Sequence, residues 1–181
     1  MILGLDISTS ITGYCVLDMN GEIIKAGAWD TRNKNKFKSE FEKIEYIKEN
    51  LCELLIQFPI GKVYIEKPFM FFGSGKSTAK TMATLQRYNG MVSWIAYELF
   101  EQKPEYFTAQ TARKNAGLSI PRKANTKKEI IKWFLDKYPS YVIEYTSYGN
   151  PKPKYYDIAD AVVIALAGLN DISEKKDKNN K

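Results

Sequence analysis

The chain has 181 residues, 44% of them hydrophobic, which suffices for one sizeable core and is too short for two ordinary domains with a cleft between them. It contains no histidine, so the usual general base and the usual zinc or copper ligand are excluded, and any chemistry must run on carboxylates, lysines, hydroxyls or hard cations. The net charge of +6 is concentrated between Arg113 and Lys137, where eight basic residues stand against two acidic ones; such a stripe suggests a polyanionic partner, nucleic acid first, with a solvated lysine-rich face as the plainer alternative.

In chain order, Ile2 to Asp6 is an apolar run ending in a carboxylate, and a Ser/Thr-rich turn leads to a second run, Gly13 to Leu17. Asn20-Gly21 supplies a tight hairpin turn, and Glu22 to Trp29 returns as a third antiparallel strand. Apolar residues recur at helical spacing from Lys36 to Phe58, where Pro59 and Gly61 stop the helix, and Lys62 to Glu66 is a fourth strand. Thr81 to Phe100 reads as a largely buried helix interrupted at Gly90. Tyr106 to Thr108 follows as a fifth strand, with Thr108 capping a short helix that reaches Asn115. After a loop at 117–125, Thr126 caps a basic helix from Lys127 to Tyr138; residues 145–154 are irregular, and Tyr156 to Leu169 is an apolar helix.

This order predicts an α/β fold, a mixed five-stranded sheet flanked by helices, over residues 1–170, with 171–181 a disordered charged tail. No run of eighteen apolar residues occurs, and Asp6 falls where a signal peptide needs an apolar middle. Cys15 and Cys52 lie in apolar patterns without CxxC spacing, as small buried hydrophobes do. A cytoplasmic protein with no membrane partner is expected.

Four acids stand where stability alone would seldom place them. Asp6 and Glu66 end otherwise apolar strands, and Asp157 and Asp160 lie three apart, hence on one helix face. Each has a structural explanation of its own, as a turn cap, a partner of Lys67 or a helix first-turn acid. A cluster of the four would force some to protonate unless a cation compensated them, and oxygen ligands without histidine select Mg²⁺ or Mn²⁺.

The segments LGLDISTSITGY, VYIEKPFM and DIADAVVIAL resemble the RuvC Holliday junction resolvases of the RNase H-like superfamily, from about residue 2 to 169, and a phage-type member fits as well. The resemblance implies that Asp6, Glu66, Asp157 and Asp160 are catalytic and hold two Mg²⁺ or Mn²⁺ ions for phosphodiester hydrolysis. It implies a homodimer built on the second long helix, making paired nicks in four-way or other branched DNA. It further places Phe69 where an aromatic stacks at the junction crossover, and Lys114 and Lys127 where lysines contact DNA. The 117–125 loop and the 139–155 insertion depart from the family. A catalytically inactive RNase H-like DNA-binding module and an actin-like ATPase, suggested by Asp6-Ile-Ser-Thr9, are the alternatives; the latter needs a second lobe for which there is no room.

The segment FFGSGKST, residues 71–78, imitates a P-loop, but the glycine that opens such a motif would fall at position 70, which is Met70. No nucleotide cofactor is expected, and the segment reads instead as a basic loop that turns Lys76 and Lys80 towards a DNA backbone.

Overall fold

The structure, a computed structural model, describes residues 1–68 and 79–179. Strands β1 (Ile2–Asp6), β2 (Ile11–Leu17) and β3 (Ile23–Asp30) form an antiparallel meander. Helix α1 (Glu40–Gln57) leads to β4 (Lys62–Glu66), which pairs parallel with β1; α2 (Ala79–Phe100) leads to β5 (Glu105–Phe107), parallel with β4. The sheet order is β3-β2-β1-β4-β5, so β1 is central and flanked on both sides. Helices α3 (Ala109–Asn115), α4 (Thr126–Lys137) and α5 (Lys154–Asn179) complete the chain. The mixed five-stranded sheet flanked by helices is thus the architecture the sequence predicts.

Strand periodicity divides the core in two. Leu3, Leu5, Val63 and Ile65 face α1 and α2, packing with Ile47, Leu51, Tyr88 and Val92. Their neighbours Ile2 and Tyr64 face the other way, with Cys15, Leu17 and Phe107, onto the helices of the second layer. The same alternation sends Asp6 and Glu66 to the face of Ile2 and Tyr64, which α5 covers. Apart from Asp157 and Asp160, α5 is nearly all apolar from Tyr155 to Leu169, because it lies between the sheet and α3 and α4 and buries most of its circumference.

Close approach of α5 depends on missing side chains. A Cβ on Gly13 would fall onto the backbone carbonyl of Asp157, and one on Gly4 would lie 2.6 Å from the Ala165 nitrogen. Gly13 pairs with Asp6 across the β1–β2 ladder, so the point where the helix touches the sheet is also the point where the strand presents its acid.

Several boundaries differ from expectation for identifiable reasons. Helix α1 begins at Glu40 rather than Lys36, because Ser39 accepts the Glu42 amide as its cap; Phe37, which extended the apolar pattern, is buried ahead of the helix against Tyr46. Asn125 rather than Thr126 caps α4, accepting the Lys128 amide. Gly90 does not interrupt α2. The tail expected to be disordered from 171 is helical through Asn179: Ile172 packs on the core, and Lys175 pairs with Asp171 at 2.7 Å and Glu105 at 2.8 Å. Among the described residues no helix is long and apolar enough to cross a membrane.

Candidate active site

Asp6 leaves the end of the central strand, and Glu66 leaves the neighbouring strand one position beyond the last β1–β4 pair, Leu5 with Ile65. Both ends are tied down. The ladder continues past Glu66 through the Lys67 amide to the Phe107 carbonyl at 2.7 Å, and the buried Asn89 of α2 donates to the Glu66 carbonyl at 3.2 Å. The turn after Asp6 is held by Thr12, whose hydroxyl donates to the Ser8 carbonyl, and by Lys43, which donates to the Thr9 carbonyl at 2.6 Å. Asp157 and Asp160 enter from the first turns of α5, at the level set by Gly13.

The four acids sense one another. Burial is the main cause that raises the Asp6 carboxyl well above the usual carboxylate range, and the charges of Asp160, Glu66 and Asp157 then add to it. Glu66 is raised by burial and by Asp160, and Asp160 by burial and by Asp157. Asp157 is pushed up to about 6, mainly by burial. Each keeps part of its surface open to solvent, so the cluster is not sealed in the core.

Cations bear on this group unevenly. Lys127, in the first turn of α4, lowers Asp6, Asp157 and Asp160; its ammonium lies 5.6 Å from the Tyr156 ring centroid. Arg113 of α3 lowers Glu66 and Asp160, and Arg32, bound to Asp30, lowers Asp157. The structure therefore brings the charge of Lys127 to bear on the acids, and that of Arg113, not its neighbour Lys114, on Glu66. Lys114 is exposed along an adjacent cleft. Adjacent helical residues point about 100° apart, and the sequence signal that could have separated them is the phase set by buried Ala112. Lys80 is exposed at the start of α2, and Phe69 and Lys76 lie outside the described residues.

The donor set tests whether a metal fits here. All four donors are carboxylate oxygens, the chemistry of Mg²⁺ and Mn²⁺, and their mutual repulsion is what a divalent cation would cancel. Among the described residues no three acidic or thiol side chains are gathered tightly enough to form a ready ion cage.

Comparison with known proteins gives a consistent direction. No protein-family model matches the sequence. The chain is 28% identical over 178 residues to the crossover junction endodeoxyribonuclease RuvC of Aliarcobacter butzleri, covering 91% of this chain and 95% of that protein. It is 25% identical over 166 residues to the RuvC of Cytophaga hutchinsonii, covering 92% and 74%. In fold it is similar to Thermus thermophilus RuvC bound to a Holliday junction substrate, with a TM-score of 0.69 at 14% identity over 96% of this chain and 94% of that one. The yeast mitochondrial Holliday junction resolvase follows, with a TM-score of 0.59 at 15% identity over 99% and 81%.

Proposed function

We propose, from the premise that the chain belongs to the RuvC family, that it is a metal-dependent endonuclease that cuts four-way or other branched DNA as a homodimer making paired nicks. The observation that carries this reading is the convergence of Asp6, Glu66, Asp157 and Asp160 from three elements onto one sheet end, with every carboxyl raised by burial or by its neighbours. A protein that only bound DNA would gain nothing from presenting this anionic group to phosphates.

In the proposed site, Asp6, Glu66, Asp157 and Asp160 hold two Mg²⁺ or Mn²⁺ ions. Bound divalent ions supply Lewis acidity towards water and towards the leaving oxygen of the phosphodiester, which removes the need for a histidine base. Lys127 and Arg113 hold the acids towards their ionised, ligating form and present positive charge to the incoming backbone. Lys114 is assigned to DNA near the cut phosphate, Lys76 and Lys80 to the DNA backbone and Phe69 to base stacking at the crossover.

The dimer reading is supported by an exposed aromatic stripe on α2. Trp94 is 60% and Tyr97 45% exposed, with ring centroids 5.6 Å apart, and Gly90, one turn before Trp94, meets nothing within 4 Å of a built Cβ. Large aromatics beside an open glycine fit a close helix crossing in a two-fold pair.

The experiment is cleavage of a panel of four-way, forked, flapped and linear DNAs with Mg²⁺, with Mn²⁺ and with EDTA. Cleavage of branched substrates that requires metal is expected. Cutting of all the DNAs alike, or cutting in EDTA, would remove the reading.

A further inference from the structure

A cleft of about 950 Å³ opens directly beside Glu66, between the end of β4 and the two ends of α3. Its size lies within the roughly 300–1,000 Å³ typical of small-molecule sites, enough for a base with its sugar. Its construction is local and specific. Thr108 caps α3 by accepting the Thr111 amide, so its hydroxyl is already engaged. At the other end Gly117, at φ +76°, lets its own amide bond the Lys114 carbonyl at 3.0 Å and the Leu118 amide bond the Arg113 carbonyl at 2.8 Å. This Schellman turn reverses the chain, so that Leu118 and Ile120 join Pro68 as the apolar lining of the cleft.

The polar groups in this cleft are few and divided by role. Arg113 and Lys114 line it, Arg113 on the Glu66 side. Gln110 is exposed within it, and its amide makes no hydrogen bond among the described residues. A Gln amide carries a donor and an acceptor side by side, which matches the edge of adenine. Apolar walls, a free amide and flanking cations, all beside an acid of the cutting site, are the features of a pocket for a single base attached to a backbone.

We propose that this cleft seats a nucleobase unstacked from the junction next to the cut phosphate, and that Gln110 reads its edge, with adenine preferred. The proposal rests on the nuclease reading above and adds to it a source of cutting-site preference.

The probes are four-way junctions carrying each base in turn on either side of the cut phosphate and, in EDTA, a junction with 2-aminopurine there. The wild-type chain is expected to cut the adenine junction between about five- and a hundred-fold faster than the others, the discrimination of one bidentate contact. Gln110→Ala should level these rates while junction affinity, carried by phosphate contacts, changes little. Gln110→Glu, an acceptor only, should shift the preference to cytosine, whose amino group donates. The 2-aminopurine should brighten on binding as it leaves the stack. Unaltered preference in Gln110→Ala, or no brightening in the wild-type complex, overturns the pocket and leaves the nuclease standing. Brightening without any cleavage removes the nuclease and keeps the pocket, and failure to bind branched DNA removes both.

Discussion

The two ends of the sheet use the same residues to opposite effect. Strand β4 begins at Lys62 and ends at Glu66, while α5 begins with Asp157 and Asp160 and carries Asp171 and Lys175 near its other end. At the far end Glu105 of β5 and Asp171 of α5 meet cations: Glu105 takes Lys175 at 2.8 Å and Lys62 at 3.6 Å, and Lys175 reaches Asp171 at 2.7 Å. Hydrogen bonding to Lys175 holds the Glu105 carboxyl below its usual range. At the near end four acids share Lys127 and Arg113 and are raised instead. Paired acids at a sheet edge serve the fold, whereas acids crowded together with too little counter-charge are held ready for something that arrives.

The contrast can be broken most sharply by removing one acid from each end. Asp6→Asn should abolish metal-dependent nicking of a four-way junction, measured by gel cleavage, while junction affinity by fluorescence anisotropy is unchanged or tighter, because one repulsive charge facing phosphate is gone. Glu105→Gln should leave nicking intact.

Next in size is the linkage to cations and protons. The Asp157 carboxyl, pushed up from 3.8 to about 6, binds its proton more tightly in the folded protein than in the unfolded chain. The stability it contributes is therefore present below about pH 4 and lost as the pH rises through about 6, with Asp6, Glu66 and Asp160 acting in the same direction. Thermal unfolding of the cation-free protein should show a melting temperature that falls across this range. Added Mg²⁺ should restore it more at about pH 7.5 than at about pH 5, and a saturation of 100 times the dissociation constant corresponds to about 2.7 kcal/mol. A melting curve independent of both would contradict the linkage.

On α2, Trp94→Glu should convert a dimer to a monomer in sedimentation velocity at micromolar concentration, since central interface aromatics carry about 2 kcal/mol or more. The smallest effect belongs to the paired end. Lys175→Ala breaks partly exposed ion pairs and should cost less than about 1 kcal/mol in denaturant unfolding, decreasing with salt.

The near end was legible in the sequence because it violates local logic: apolar strands that end in acids, and two acids on the face of an otherwise buried helix. The sheet followed from strand periods and turn residues for the same reason, since each signal is confined to a few neighbouring residues. What escaped was decided between elements. Phe37 matched the period of α1 yet packs ahead of it, because Ser39 fixes where the helix starts. Residues 171–179 carry the composition of a solvated tail, and only the distant Glu105 and the core around Ile172 show why they stay helical. That Arg113 rather than Lys114 acts on Glu66 depended on how α3 is rotated against α5, and the one local trace of that rotation is the helical phase of buried Ala112.

The absent side chain at Gly13 gives the near end a property that its carboxylates alone could not provide. Because the backbone of α5 rests directly on the backbone of β2, the spacing of the main chains that carry Asp6 and Asp157 is set by two backbones in contact. Such a gauge favours a small ion with strict geometry, since Mg²⁺ holds oxygens at about 2.0–2.1 Å where Ca²⁺ accepts about 2.3–2.6 Å. In the proposed metal-dependent site, the choice of ion would then be written into a glycine that never touches one.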